Sequence, residues 1–278
     1  MRITVIAENE TKNEHLCARH GLSLALETPQ GILLCDCGQD ETSYLNFRAL
    51  GMDGNSIKAI FISHPHYDHI GGLEAFADAC DAPIIISAYA CCELISDRPA
   101  HPMRVSSRRD IINKLSERCV FVQDEKEIFP GSMIYACAVR HSEKAYRCGD
   151  ACLFERRGGM MTPDTFRHEL YLAIIEDGVC KLISPCSHNG IVNIIKDAQR
   201  RFPETPVRVF AGGLHFAASD GVLNCSPERM REIGREVKKL GVTKLYTCHC
   251  TGRKAFIELS ACQGMETHYI SCGEKVEI

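Results

Sequence analysis

Short apolar runs that end at turn residues alternate with segments of helical period along this chain. Apolar runs of about four to eight residues predict strands, and a period near 3.6 predicts helices. We predict strands at Ile3–Ile6, Leu22–Glu27, Ile32–Cys35, Ile57–Ile62, Pro83–Ser87, Leu170–Glu176, Val179–Ser184, Val207–Phe210, Lys244–Thr247 and Thr267–Ser271. We predict helices at Glu41–Leu50, Leu73–Ala79, Gly190–Arg201, Pro227–Leu240 and Gly252–Ala261. This order predicts an α/β fold.

Turn residues and two irregular segments divide this pattern. Thr28-Pro29-Gln30-Gly31 and Asp177-Gly178 each separate two predicted strands, which indicates two hairpins. Residues 96–116 are rich in arginine, and residues 141–168 are polar and rich in glycine. We interpret both segments as insertions, each able to form a lid, in a single domain of residues 1–278.

Composition narrows the partners of the protein. Hydrophobic residues make up 45% and charged residues 24%, which is typical of a globular protein with a sizeable core. The formal net charge of −4 gives no general attraction to nucleic acid or anionic lipid. We therefore expect a small-molecule substrate, with no nucleic acid and no membrane partner. Acidic residues directly follow the first short apolar stretch, unlike a signal peptide, and we expect a cytoplasmic protein.

Seventeen cysteines are scattered through apolar, strand-like runs, with no Cys-x-x-Cys pair. Such a distribution in a long chain favours reduced cysteines that fill the core over a disulfide framework. Close groupings such as Cys91-Cys92 and Cys248-His249-Cys250 are expected to have the same role.

The segment Ser63-His64-Pro65-His66-Tyr67-Asp68-His69 places three imidazoles and a carboxylate directly after a predicted strand. Burying so many polar groups requires partners, which a metal ion supplies. His64 and His66 are two residues apart and can face one ion from an extended chain, whereas Asp68 and His69 lie on the following turn and can face a second. The spacing therefore predicts two neighbouring metal ions.

This His-x-His-x-Asp-His pattern, followed by Gly71-Gly72, resembles the signature of the metallo-β-lactamase superfamily. The resemblance implies a four-layer αββα sandwich. Three later motifs are similar to the subfamily of 7,8-dihydropterin-6-methyl-4-(β-D-ribofuranosyl)aminobenzene-5'-phosphate synthases; they are Cys186-Ser187-His188-Asn189-Gly190-Ile191-Val192-Asn193, Gly212-Gly213-Leu214-His215 and His249-Cys250-Thr251-Gly252. The similarity covers about the first ninety residues and those from Leu170 onward. Residues 96–168 match no family pattern, and Pro185 stands where the subfamily usually has glycine. The substrate of the subfamily is therefore not carried over to this chain.

The resemblance also implies the rest of the metal site. His188 and His249 would complete the coordination, with His64, His66 and His188 on one ion and Asp68, His69 and His249 on the other. About three protein ligands for each ion leave a position open for water, as catalysis requires. Nitrogen-rich ligands favour zinc, although manganese and iron suit the same geometry. Cys186, two residues before His188, is the competing ligand in that loop, and we favour His188.

Other residues receive supporting roles. Asp36 resembles the aspartate that braces the metal loop in that superfamily, and the alternative is a turn-forming Asp-x-Gly. Asp68 is expected to orient a metal-bound hydroxide. His215 follows a strand and two glycines, which favours substrate contact or proton transfer over packing. The remaining histidines are expected to be solvated or hydrogen-bonded rather than ligands; they are His15, His20, His101, His141, His168 and His268.

The predicted function is a binuclear, metal-dependent hydrolase that activates water against an ester, phosphoester or amide, or performs the addition chemistry that the synthase name suggests. One alternative is a non-haem iron redox or oxygen-handling enzyme of the same fold, but such members resemble His-x-Glu-x-Asp, and His66 stands where the glutamate would be. The other is a non-catalytic binding or regulatory protein. Arg104, Arg108 and Arg109 form either a lid over an acidic or phosphorylated substrate or a solvated basic face, the interpretation we favour.

Overall fold

The structure, a computed structural model, describes residues 1–98, 101–106 and 109–278. Within these residues the strands are β1 Arg2–Ala7, β2 Ser23–Thr28, β3 Gly31–Cys35, β4 Ile57–Phe61, β5 Ile84–Ser87, β6 Glu93–Arg98, β7 His101–Arg104, β8 Cys119–Val122, β9 Glu125–Glu127, β10 Ile134–Ala138, β11 Leu153–Arg157, β12 Met160–Pro163, β13 Leu170–Glu176, β14 Val179–Ile183, β15 Val207–Gly212, β16 Lys244–Thr247, β17 Glu266–Tyr269 and β18 Lys275–Glu277. The helices are α1 Thr42–Ala49, α2 Tyr67–Ile70, α3 Leu73–Ala79, α4 Arg109–Lys114, α5 Ile191–Arg201, α6 Pro227–Lys239 and α7 Gly252–Ser260.

The chain divides into two compact units. The first unit contains Met1–Gln123, Asp150–His168 and Ser271–Ile278. The second contains Asp124–Gly149 and Glu169–Ile270.

The first unit is built on a seven-stranded mixed sheet in the order β18-β1-β2-β3-β4-β5-β8. Strands β1, β2 and β3 are antiparallel, whereas β3, β4, β5 and β8 run parallel. Helices α1, α3 and α4 place apolar side chains on this sheet, with Phe47 and Phe76 fully buried and their rings 5.6 Å apart. Burial of such large aromatic side chains is the main stabilising contribution to this core.

A second sheet in the first unit is formed by the two predicted insertions. Its four antiparallel strands have the order β12-β11-β6-β7, and Ser96 pairs with Leu153 across β6 and β11. The predicted first insertion also contacts the histidine-rich loop, because the Tyr67 N–H donates to the Val105 carbonyl at 2.8 Å. Of the three arginines interpreted as a solvated basic face or a lid, Arg104 is exposed and donates to Ser106 Oγ at 3.1 Å. Arg108 and the side chain of Arg109 lie outside the described residues.

The second unit contains a seven-stranded sheet in the order β17-β16-β15-β14-β13-β10-β9, with β14 to β17 parallel. Helices α5, α6 and α7 pack on it through one apolar core. Helix α5 packs on the sheet through one apolar face, because its buried residues recur at helical spacing; they are Ile191, Ile194, Ile195 and Ala198. Helix α6 begins at a Ser226 cap, whose side-chain oxygen accepts the Arg229 N–H at 3.3 Å.

These elements confirm the predicted α/β class and both hairpins. Thr28 pairs with Gly31, and Glu176 pairs with Val179 around the turn at Asp177. The predicted strand near 267–271 lies at Glu266–Tyr269, and the predicted strand 207–210 extends to Gly212. No helix among the described residues is long and apolar enough to cross a membrane.

Candidate functional site

The histidine-rich loop of the first unit leaves strand β4, runs extended to His66 and enters the single turn of α2. The ring centroids of His64 and His66 are 4.5 Å apart, and those of His64 and His69 are 4.2 Å apart. The structure therefore brings these three predicted ligands together. We call His64, His66, Asp68 and His69 the first cluster.

The buried carboxylate of Asp36 holds this loop from beneath. Its Oδ1 accepts the Ser63 N–H at 2.7 Å, and its Oδ2 accepts the Ser63 hydroxyl at 2.6 Å. The same Oδ2 lies 2.7 Å from His69 Nδ1. The prediction that Asp36 braces the loop is therefore confirmed.

These contacts fix the proton positions on two imidazoles. The single hydroxyl proton of Ser63 is directed at Asp36, so the Ser63 oxygen accepts from His64 Nδ1–H, 2.8 Å away. His69 likewise directs Nδ1–H at Asp36. In both rings the lone pair is then on Nε2, which is the arrangement that metal-binding histidines use.

Burial disfavours the charged forms of His64 and His66. It lowers the pKa of His64 well below its usual value, and the neighbouring His69 lowers it further. Burial, followed by the influence of His168, lowers the pKa of His66 to about 3. Neutral imidazole is the form that can donate a lone pair to a metal ion.

Asp68 lies between two histidines. Its Oδ2 is 3.2 Å from His20 Nε2 and 3.5 Å from His69 Nε2. His20 was expected to be solvated or hydrogen-bonded, and the structure places it in contact with a first-cluster residue. Its position near the start of β2 gave no signal of this contact.

His168 and Asp164 form a second buried pair that sequence reasoning did not single out. His168 Nε2 lies 2.9 Å from Asp164 Oδ2, and the His168 ring centroid is 5.7 Å from that of His66. The hydrogen-bonded role expected of His168 is confirmed. Asp164 also accepts the Phe166 N–H at 2.7 Å. The carboxylate four residues before the histidine was the available sequence signal.

Gly71 explains why the motif is followed by glycine. A Cβ at this position would collide with the carbonyl oxygens of Gln39 and Tyr67. The backbone after α2 therefore packs directly against the segment that follows Asp36, which keeps the loop and its brace together.

In the second unit, three predicted histidines follow neighbouring parallel strands. His188 lies after β14, His215 after β15 and His249 after β16. The carboxyl ends of parallel strands meet at one edge of a sheet, where α/β proteins bind ligands. We call Cys186, His188, His215, His249 and Cys250 the second cluster, because this edge also carries the two cysteines.

The ligand atoms of the second cluster converge. One such atom each from Cys186, His188 and His215 lies within 4.8 Å of the others, and the same holds for Cys186, His249 and Cys250. The ring centroids of His188 and His215 are 4.2 Å apart. Cys186, treated as the competing ligand in sequence analysis, is therefore beside both histidines and Cys250.

Glu169 holds the His188 loop by its main chain, a role that sequence reasoning missed. This buried carboxylate accepts the His188 N–H at 2.7 Å, the Asn189 N–H at 2.8 Å and the Asn189 side-chain amide at 2.8 Å. Three such hydrogen bonds to one carboxylate restrict the loop strongly. No spacing in the sequence links residue 169 to 188.

Left-handed backbone is concentrated at both clusters. Asp36, Ser187, His215 and His249 have φ between 50° and 59°, which is uncommon for residues other than glycine. Such strain is retained where surrounding contacts enforce it, and it collects at functional sites. At His215 the enforcing contact is a 2.7 Å hydrogen bond between Nδ1 and the Cys148 carbonyl, which leaves the ring's lone pair on Nε2.

The donor atoms of both clusters suit a divalent metal ion. The first cluster offers three buried imidazoles, two of them with Nδ1 hydrogen-bonded, together with a carboxylate. The second offers imidazoles beside thiols. Nitrogen and sulfur donors are those that zinc prefers, so both clusters of this α/β protein are candidate metal sites.

Comparisons with known proteins agree with this class. The model of the metallo-beta-lactamase superfamily matches residues 18–137. The 7,8-dihydropterin-6-methyl-4-(beta-D-ribofuranosyl)-aminobenzene-5'-phosphate synthase of Methanocaldococcus jannaschii is 28% identical, covering 92% of this chain and 89% of that protein. The anti-Pycsar protein Apyc1 of Paenibacillus harenae is 28% identical over 65% of this chain and 76% of its own length.

A solved structure extends the likeness over the whole chain. Tm1679, described as a metal-dependent hydrolase of the beta-lactamase superfamily, has a TM-score of 0.81 and 25% identity, covering 100% of this chain and 99% of that one. The chain therefore resembles proteins of the metallo-β-lactamase superfamily, and the predicted fold class is confirmed.

Proposed function

We propose that this protein is a hydrolase that activates water at a binuclear metal site, as the sequence motifs predict. The proposed ligands are four residues of the first cluster and two of the second; they are His64, His66, Asp68, His69, His188 and His249. Zinc is the proposed metal, since nitrogen donors predominate, and manganese and iron are the alternatives for the same ligands.

The hydrogen-bonded chain His64–Ser63–Asp36–His69 supports this proposal most directly. It places Nδ1 of both imidazoles in hydrogen bonds, which makes Nε2 the nitrogen proposed to bind metal, and it anchors both rings to one buried carboxylate. A core that merely tolerated these histidines would not need both rings in the same tautomer. The pattern matches the outer hydrogen bonds that orient histidine ligands in metal enzymes.

Bound divalent ions would lower the pKa of a coordinated water toward neutrality and polarise the substrate. Asp68 is proposed to orient that water, and His20 Nε2, 3.2 Å from its Oδ2, holds the carboxylate from one side. His215 would contact the substrate or accept a proton at Nε2, since Cys148 fixes its Nδ1–H. The sheet of strands β6, β7, β11 and β12 lies in the same unit as the first cluster and is the proposed cover for the substrate.

The proposed substrate is a small molecule with a phosphate group or a pterin-like ring. The name of the synthase from Methanocaldococcus jannaschii supports this class. We propose no nucleic-acid or membrane partner, in keeping with the net charge of −4, and a cytoplasmic location, in keeping with the many cysteine thiols.

The test is a hydrolysis screen on protein purified without added metal, over phosphodiesters, thioesters, lactones and pterin precursors. We expect turnover of a phosphorylated or pterin-like compound, its loss on removal of metal by a chelator, and its return with Zn²⁺. Activity that survives complete metal removal would contradict the proposal.

A further inference from the structure

Two buried thiols of the second cluster lie almost within bonding distance. Cys186 Sγ and Cys250 Sγ are 3.2 Å apart, although 64 residues separate them in the chain. A disulfide has an S–S length of about 2.05 Å, so a small approach of the two sulfurs would join them. Both residues are buried, with Cys186 4% exposed and Cys250 6% exposed.

The sheet itself brings these thiols together. Cys186 follows β14 and Cys250 follows β16, the two strands on either side of β15. At the end of β15, a Cβ on Gly213 would collide with Cys250 Sγ and with the Pro185 carbonyl. The missing side chain therefore makes the gap in which the two loops meet.

Hydrogen bonds hold the Cys250 sulfur beside Cys186. The His215 N–H donates to Cys250 Sγ at 3.2 Å, and Cys250 Sγ donates to the Cys186 carbonyl at 3.6 Å. Cys180, in strand β14 of the same unit, is fully buried, and burial raises the pKa of its thiol to about 12. Because thiolate is the reactive species, Cys180 is expected to react slowly with an oxidant.

We infer that Cys186 and Cys250 form a reversible, redox-active pair that a hydroperoxide converts into a disulfide. The Cys250 sulfur attacks the peroxide oxygen, the O–O bond breaks, and Cys250 becomes a sulfenic acid while the alcohol or water leaves with the thiol proton. The Cys186 thiol then attacks the Cys250 sulfur, and a water molecule leaves as the S–S bond forms. The two thiols lose two electrons, which the peroxide gains.

The disulfide would alter the second cluster. Cys186 is two residues from His188, and Cys250 is adjacent to His249, so drawing the sulfurs together shifts both histidines. Ser187 and His249 both have left-handed backbone, so these loops have little freedom to absorb that shift. The expected loss of metal rests on the proposed function, in which His188 and His249 are ligands. Formation of the disulfide does not depend on that function.

The experiment treats the reduced protein, with its metal, with a small excess of hydrogen peroxide. Disulfide-linked peptides are mapped by mass spectrometry without reduction, and retained zinc is counted after gel filtration. We expect a Cys186–Cys250 peptide pair, a loss of about half of the bound zinc, and recovery of zinc binding after reduction with dithiothreitol. Cys180→Ala is the matched control and should respond like the wild type, whereas Cys186→Ala should keep its zinc.

Each outcome is decisive. Absence of the Cys186–Cys250 peptide overturns the inference, and its presence supports it. A disulfide that leaves zinc content unchanged, or equal zinc loss in wild type and Cys186→Ala, contradicts the effect on the proposed ligands His188 and His249. If the reduced protein holds no metal, the proposed function fails, but the peptide map still decides whether the thiol pair forms.

Discussion

The two clusters hold their imidazoles by different means. In the first unit a buried side chain, Asp36, accepts hydrogen bonds from Ser63 and His69 and sets which ring nitrogen is a donor. In the second unit Glu169 accepts main-chain N–H groups of the His188 loop, and the backbone at His215 and His249 is left-handed.

This difference follows from how each cluster is built. The first cluster comes from one short segment, so the geometry of a single loop and its brace decide where the rings lie. The second comes from three loops after three parallel strands, so each loop must be fixed separately. A contiguous cluster is therefore sensitive to the tautomer of its ligands, whereas a dispersed cluster is sensitive to the path of its backbone.

The largest effect is expected from Asp68→Asn. The change keeps the shape of the side chain but removes the charge that is proposed to bind metal and orient water, so turnover should fall by at least about 10²- to 10³-fold. Steady-state rates measure the loss of turnover, and a thermal unfolding curve measures separately whether the fold is still stable. Asp81→Asn, at an exposed aspartate of the same unit, should keep full activity. Wild-type rates in Asp68→Asn would exclude it as a ligand or a water-orienting group.

Asp36→Asn should have the second largest effect, which is a loss of zinc affinity. Asn has one side-chain oxygen for three donors and would turn an N–H toward Ser63 or His69, which disturbs the tautomers of the first cluster. We expect zinc affinity to fall by about 10- to 100-fold. Competition with a chromophoric chelator gives the affinity. Unchanged affinity in a folded variant would show that the Asp36 brace does not tune the ligands.

Glu169→Gln should have a smaller effect, because it loosens a loop rather than changing a tautomer. The glutamine has one oxygen for the three N–H groups that Glu169 accepts, and we expect about a 10-fold loss of zinc affinity. Glu204→Gln, at an exposed position of the same unit, is the control. An effect of Glu169→Gln larger than that of Asp36→Asn would reverse the comparison between the clusters.

Sequence patterns predicted the elements whose signal is local. Helix Leu73–Ala79 and strands Leu170–Glu176 and Lys244–Thr247 lie where their periodicity predicts. The sheet formed by β6, β7, β11 and β12 was missed, because β6 and β11 pair across more than fifty residues and β12 is exposed along its whole length. Its stabilising contacts are visible only once the chain is folded.

In the candidate functional site, too, only the residues with a local sequence pattern could be predicted. The first cluster was recognisable because its members are contiguous. The pairing of His168 with Asp164, the contact of His20 with Asp68, and the role of Glu169 depend on tertiary placement. A buried carboxylate that accepts main-chain N–H groups has no distinctive sequence pattern.

The most direct test of the account is the number of metal ions bound to protein purified without added metal. We predict about two metal ions for each wild-type chain, a clear loss in His188→Ala, and near-normal content in Cys186→Ala. Elemental analysis of the three proteins, each checked for folding by its unfolding curve, gives the answer. An empty wild-type protein, or metal loss in Cys186→Ala with normal content in His188→Ala, would contradict the proposed ligand set.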